Sequence, residues 1–360
     1  MHSTTPLVIG IPGPELDQST RSLIERVRPI GYVLFSRNIK SAEQTRALTD
    51  ELRGLSWEEP IIAIDQEGGR VTRTKEIGAI PPSARELSES TVKGCIPYAG
   101  FLTADMLSLL GINLNFAPVM DLDHHPDKKN ALNDRCWGST PSEVIDRAGM
   151  FSRPHAKYKV QVCGKHFPGS GLAQSDPHFD LPVVDISLED LYEADLQPFV
   201  AMLPDLGMVM SGHLLFPQIT QDLPASLSPQ LIQGLLRNRL AYEGLAITDD
   251  LNMQAITSRY GLANAARMAI EAGNDLAMVC HSFDEFEAVA EELSKISPNA
   301  TIDSERRLKK FQKKLKAPPA WSPKRWQKVN EDIFKLRVDV LGEDGARAPM
   351  ADGTSPVESY

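Results

Sequence analysis

Four short stretches of the chain combine residue types whose spacing suits catalysis. The first, Ala63-Ile64-Asp65-Gln66-Glu67-Gly68-Gly69-Arg70-Val71-Thr72-Arg73, reads as a strand that ends in a carboxylate, turns on two glycines and returns two arginines. Asp65 can accept from ligand hydroxyls and Arg73 can donate to them, as binding of a polyhydroxylated ligand requires. Arg–Asp pairs at a structural rim would use the same residues. The second stretch, Cys163 to Gly171, carries Lys165 and His166 at a strand end, followed by Asp176-Pro177-His178. Asp176 and His178 are two residues apart, so the carboxylate can hold one ring nitrogen while the other faces a substrate, the arrangement of an oriented acid/base. The same spacing also occurs in ordinary surface loops. The third, Gly244 to Met253, delivers Asp249 and Asp250 from a buried apolar run. Burying adjacent carboxylates is costly unless they are paired or used. One can be a nucleophile and the other a helix cap, or both can be caps.

The fourth stretch gathers Asp121, Asp123, His124, His125 and Asp127. A metal site needs ligands that converge, which a contiguous loop without a known motif rarely provides, so the expectation is no functional metal. His213 closes another apolar run and reads equally as a ligand contact or a satisfied buried histidine.

The elements that must carry these residues follow from hydrophobic periodicity. Strand patterns fall at 7–11, 31–35, 61–65, 112–118, 160–166, 208–213, 245–249 and 276–280. Helical patterns fall at 41–54, 96–110, 141–157, 188–203, 228–240, 260–272 and 283–294. Ser187 with Asp190, and Ser228 with Pro229, mark two helix starts. Eight strands with helical connectors predict an α/β (β/α)8 TIM-type barrel in one domain, with an open doubly wound sheet as the alternative. Strand after strand ends in an active side chain: Asp65, Asp121, Lys165 with His166, His213 and Asp249. Barrel strands deliver their carboxyl ends to one face, where barrel active sites lie.

At 360 residues, 42% hydrophobic and 24% charged, the chain has the composition of a globular protein with a sizeable core. No apolar run approaches a membrane span. The start of the chain lacks a signal-peptide pattern, and the four cysteines are scattered with no CxxC, so a reduced, cytoplasmic protein is expected. The net charge of −10 argues against nucleic acid as a partner. Residues 301–330 are the exception, with ten Lys/Arg against Asp303 and Glu305, a local +8 that leaves −18 elsewhere. Such a segment can meet membrane surfaces or polyanions. Apolar residues at helical spacing favour a helix over 302–316 packed on the barrel, with its charges solvated. The catalytic domain is expected to span 1–335. Residues 341–360, small, polar and rich in Pro and Gly, read as a flexible tail.

Five pieces together resemble the barrel domain of glycoside hydrolase family 3, most closely its single-domain bacterial β-N-acetylglucosaminidases. They are Ile64 to Arg70, Asn115 to Asp121, Lys165 to Gly169, Asp176 to His178 and Thr248 to Met253, in the family's order. The resemblance implies Asp249 as nucleophile, His178 as acid/base and Asp176 as its orienter. It implies sugar contacts from Asp65, Arg73, Arg135, Lys165 and His166. The implied reaction is hydrolysis of terminal β-N-acetylglucosamine with retention, without metal or cofactor, on a saccharide or muropeptide of peptidoglycan recycling. A histidine acid/base is unusual in retaining glycosidases, but its ordinary pKa of about 6.5 lets one group protonate a leaving oxygen and then deprotonate water. Too few residues follow the barrel for the second domain that supplies a glutamate acid/base in many family β-glucosidases. Ser170 replaces the second histidine of the family's Lys-His-Phe-Pro-Gly-His-Gly loop, Pro177 replaces a serine, and Cys136-Trp137 replaces Ser-Phe, a change expected at the pocket wall.

Three competing readings use the same residues. A phosphorylase would pass the sugar to phosphate, which a neutral histidine repels less than a glutamate would. An aldolase would use Lys165 as a Schiff-base amine. An inactive sugar-binding protein would bind without turnover.

Overall fold

In the computed structural model, residues 4–125, 131–173 and 181–348 are described. The eight expected strands are all present: β1 (Thr5–Gly10), β2 (Pro29–Leu34), β3 (Ile61–Ile64), β4 (Leu114–Asn115), β5 (Gln161–Phe167), β6 (Met208–Ser211), β7 (Leu245–Asp250) and β8 (Leu276–Val279). They pair in parallel in chain order, and β1 pairs with β8 to close the barrel. Strands such as Pro-Ile-Gly-Tyr-Val-Leu in β2 and Ile-Ile-Ala-Ile in β3 are buried at every position. Continuous burial is what a parallel sheet covered on its outer face by helices and on its inner face by the barrel core demands. The pairing of β1 with β8 excludes the open-sheet alternative, which would leave two edge strands.

The helices start where local chemistry satisfies their first N–H groups. Ser41 accepts from Gln44 N to open Ala42–Leu55. Thr140 and Glu143 form a capping box at Pro141–Ser152, with Pro141 in the first turn. Ser187 accepts from Asp190 N, as the sequence indicates. The helix expected over 188–203 is broken, however, into Leu188–Glu193 and Gln197–Met202. Pro198 has no N–H to donate and its ring clashes with the carbonyl four residues earlier, so one turn is lost before it. The stretch Gln230–Arg239 is wound wide, with Gly234 N donating to Pro229 O at 2.9 Å.

Between β3 and the helix Ala84–Glu89 lies a short hairpin, Gln66–Gly68 with Val71–Thr72, that the period of the sequence does not reveal. Gly68 and Gly69 turn it with φ of 105° and 55°, and a Cβ on Gly69 would come within 2.5 Å of Ser83 Cβ. Only glycine fits there.

At the amino-terminal end of the barrel, the basic segment forms the helix Pro298–Gln312. Phe311 and Leu315 are buried with Ile30, Ile61, Leu245 and Leu276, so this helix plugs the barrel floor. The tail expectation needs correction at its start. Helix Pro323–Arg347 runs past residue 341, bending at Gly342, and Ala346 is buried with its carbonyl accepting from Arg337 Nε at 3.1 Å. A buried arginine that needs an acceptor holds this turn in place despite its weak composition. Residues 349–360 lie outside the described residues.

Candidate active site

The carboxyl ends of β3, β4, β5, β6 and β7 deliver Asp65, Asp121, Lys165 with His166, His213 and Asp249 to one face of the barrel. The register fixes their relative heights. Phe167 on β5 is level with Ser211 on β6, which is level with Thr248 on β7, so Asp249 emerges one residue above that rung.

Lys165 is the hub. Its Nζ donates to Asp65 Oδ1 at 2.7 Å and lies 2.6 Å from Glu67 Oε1. Arg73 Nη2 reaches Asp65 Oδ2 at 3.2 Å. Arg135 clamps Glu67 with two bonds, Nε to Oε2 at 2.8 Å and Nη2 to Oε1 at 2.9 Å. All five side chains are buried or nearly so, and three cations face two carboxylates. Burial alone would raise the Asp65 carboxyl, but Lys165 and Arg73 outweigh it and hold Asp65 below its ordinary value. Glu67 is also lowered: burial acts upward, and Arg135 and Lys165 overcome it. The reverse balance holds for Lys165, where burial favours the neutral amine and Asp65 and Glu67 keep it charged. The set therefore stays ionised, with one formal positive charge in excess.

The hairpin is held in register by Asn115, which accepts from Gln66 N and donates to Gln66 O, both at 3.0 Å. Gln66 Oε1 then accepts from Arg73 N at 3.1 Å, which locks the returning strand so that Arg73 points back at Asp65. Arg70 of the same turn donates instead to the carbonyls of Asn133 and Ala131, anchoring the segment that carries Arg135.

A second assembly surrounds His166. Its Nδ1 donates to Asp121 Oδ2 at 2.7 Å, and Asp121 Oδ1 also accepts from Ser170 N at 2.7 Å. A carboxylate on Nδ1 fixes the tautomer and aims the other nitrogen. Asp121 is fully buried, yet His166 and the Ser170 amide lower its carboxyl against the upward push of burial. The peptides Lys165–His166 and Phe167–Pro168 are cis.

At the end of β7, Asp249 is half-buried and its Oδ1 accepts from Asp250 N at 2.8 Å. Asp250 turns away from it. Its Oδ1 accepts from Asn252 N at 3.0 Å and from Cys280 N at 3.2 Å, so this carboxylate ties β7 to β8. Burial and the neighbouring Asp249 raise Asp250 to about 7. His213 is buried beneath: Nε2 donates to the Asp250 carbonyl at 3.0 Å and Nδ1 accepts from Ser226 Oγ at 2.8 Å. It supports the backbone of the Asp249–Asp250 turn.

The acidic loop of the fourth stretch disperses. Asp121 is taken by His166, Asp123 by Arg85 at 2.7 Å and His124 by Asp195 at 3.0 Å, while Asp127 lies outside the described residues. The converging trio among the described residues is instead Asp250, Cys280 and His281. Arg37 Nη1 is 3.2 Å from His281 Nδ1 and can only donate, so the neutral ring carries its proton on Nε2, toward Asp250 at 3.5 Å. That nitrogen has no lone pair to offer a cation. Trp137 is packed against Phe151 at 5.2 Å in the helix layer, so it belongs to the core and not to the pocket wall expected of it.

Asp65, Arg73, Arg135 and Lys165 thus share one network, His166 is paired beside it, and Asp249 closes the same rim. Asp176 and His178 lie outside the described residues. Glu67 is the member that residue types alone do not single out, and for Asp121, legible as a strand-end carboxylate, it is the pairing with His166 that the sequence does not show. A signal for Glu67 existed: Lys165 at a strand end and Arg135 in the turn 131–135 need two acids if both are buried, and Asp65 supplies one.

A closed barrel with ionised groups of both signs fixed at its carboxyl rim, beside a half-buried carboxylate, defines a barrel enzyme built for a polyhydroxylated ligand. Residues 8–310 match the glycosyl hydrolase family 3 N-terminal domain. The chain belongs to that family and is a glycoside hydrolase. Relatives include a β-hexosaminidase of Idiomarina loihiensis, 34% identical over 76% of this chain and 83% of its own length. Another, from Bordetella avium, is 30% identical over 91% and 92%. Among solved structures, NagZ from Neisseria gonorrhoeae in complex with N-trifluoroacetyl-D-glucosamine superposes with a TM-score of 0.80 at 28% identity, covering 92% of this chain and 98% of NagZ. A family 3 β-N-acetylglucosaminidase from Paenibacillus gives 0.80 at 30%, covering 92% and 67%.

Proposed function

We propose that this glycosidase removes terminal non-reducing β-N-acetylglucosamine with retention, through a covalent glycosyl–Asp249 intermediate, with His178 as acid/base oriented by Asp176. The observation that carries the reading is the Lys165–Asp65–Glu67–Arg135–Arg73 network beside Asp249. Its donors and acceptors are paired before substrate arrives, so a sugar meets fixed hydroxyl partners and reorganisation costs little. In the first step an Asp249 oxygen bonds to C1 while the glycosidic bond breaks and His178 gives its proton to the departing oxygen. In the second, His178 takes a proton from water, whose oxygen displaces Asp249 from C1. Asp249, half-buried at the end of β7 with Oδ1 accepting from Asp250 N, is the carboxylate placed to attack. The sugar assignment is supported by the relatives' names and by the N-trifluoroacetylated glucosamine bound to NagZ. Muropeptides of peptidoglycan recycling as natural substrates, and a cytoplasmic site of action, rest on the family resemblance.

The test is hydrolysis of an aryl N-acetyl-β-glucosaminide beside the matching β-glucoside, with and without inorganic phosphate. The expected result is kcat/KM at least about 10²-fold higher for the acetamido sugar and free N-acetylglucosamine as product. Equal rates for both sugars would refute the substrate, and N-acetylglucosamine 1-phosphate as the main product would refute hydrolysis.

A further inference from the structure

The helix Pro298–Gln312 has two faces of opposite character. Leu308, Phe311 and, just beyond, Leu315 pack on the barrel floor, and Arg307 on the same side bonds Asp275 Oδ1 at 2.9 Å. With 100° between successive residues, Ile302, Arg306, Lys309, Lys310 and Lys313 gather within an arc of about 100° on the opposite side. All five are exposed. Of the ten cations in residues 301–330, four have carboxylate partners: Arg306 with Glu243, Arg307 with Asp275, Arg325 with Asp105 and Lys328 with Asp332. The other six, Lys309, Lys310, Lys313, Lys314, Lys316 and Lys324, are exposed and form no ion pair among the described residues. The remainder of the chain carries a charge of −18, so acids to neutralise them are plentiful and are not used.

We propose that this end of the barrel docks on an anionic lipid bilayer through the lysine face. Charge complementarity fixes the sign of the partner, because cationic segments are drawn to acidic headgroups while the acidic remainder is repelled. The protein therefore approaches in one orientation, floor first, and the rim that carries Asp249 faces away into solvent. Two apolar side chains favour a lipid surface. Ile302, 59% exposed, lies within the same arc, in the first turns of the helix. Trp57, 70% exposed, stands in the turn that leads into β3, at the same end of the barrel. Tryptophan is suited to the headgroup layer, and lysine stems bury their methylenes while the ammonium stays wet. The unpaired cations are all lysines, point charges that suit a diffuse headgroup field. The planar arginine fork that grips phosphates of a nucleic acid in pairs is absent from the set.

The experiment is co-sedimentation of the full chain with vesicles of phosphatidylcholine alone or with about one third phosphatidylglycerol. The expected result is at least about tenfold more protein on the anionic vesicles at low ionic strength, lost at about 0.5 M salt. The triple variant Lys309→Glu, Lys310→Glu, Lys313→Glu is expected to lose that binding, with unchanged melting temperature and unchanged turnover of a soluble aryl glycoside. Equal binding to both kinds of vesicle, binding retained by the triple variant, or tighter binding to an oligonucleotide than to anionic vesicles would overturn the proposal.

Discussion

Glu67→Gln is the perturbation that tests the buried network most sharply. The carboxylate takes two bonds from Arg135 and one contact from Lys165, all between 2.6 and 2.9 Å. The amide keeps the volume but removes the charge, raises the excess from +1 to +2 and turns an NH2 group toward donors. Removing one partner of a buried ion pair costs about 3–5 kcal/mol, because the survivor is left uncompensated. At roughly 2 °C per kcal/mol for a large domain, the melting temperature should fall by about 6–10 °C. Turnover should fall with it, since Lys165 and Arg135 lose their fixed positions; a loss of about 2–3 kcal/mol in transition-state binding lowers kcat/KM by on the order of 10²-fold. The assay is thermal unfolding plus steady-state kinetics on an aryl glycoside, for Glu67→Gln, Arg135→Gln and the pair together. Because the two side chains touch, the double variant should be less damaged than the sum of the singles by at least about 1 kcal/mol. A melting temperature within about a degree of the parent with unchanged kcat/KM, or strictly additive losses, would show that Glu67 does not hold Arg135 and Lys165 in place.

Further outcomes follow from the neighbouring groups. Asp250 is raised to about 7, so the folded state favours its protonated form; that contribution is complete below about pH 4 and is lost as pH rises through 7. Asp250→Asn, neutral throughout, should therefore gain on the parent by up to about 4 kcal/mol between pH 4 and 8 in unfolding experiments, and parallel stability curves would count against the assignment. Ending the chain at 348 should leave the melting temperature unchanged, whereas ending it at 340 removes the acceptor of Arg337 and should cost roughly 1–2 kcal/mol by denaturant titration.

Most of the barrel is legible in the sequence because its strands are continuously buried and five of the eight lead into a polar residue at the rim. That pattern places Asp65, Lys165, His166 and Asp249 on one face before any contact is known. Pairing is not legible in the same way. Asp121 and His124 are near neighbours in sequence and resemble a shared metal loop, yet their partners, His166 and Asp195, come from 45 and 71 residues away. Glu67 sits in a hairpin whose strongest sequence signals, two glycines and two arginines, point to backbone and cations. The helix through Arg347 is not legible because composition argues against it, while a tertiary contact, Arg337 to Ala346, holds it. The break before Pro198 was foreseeable from proline chemistry alone, where periodicity alone suggested one helix.

The division of labour between Asp249 and His178 is open to direct measurement. His178→Ala is mixed with a nitrophenyl N-acetyl-β-glucosaminide, whose leaving group needs no proton, and phenol release is followed from the first turnover. The expected result is a burst followed by slow turnover, a peptide containing Asp249 that carries one N-acetylhexosamine by mass spectrometry, and acceleration by azide with a β-glycosyl azide as product. No burst, no labelled Asp249 peptide and no azide product would contradict it.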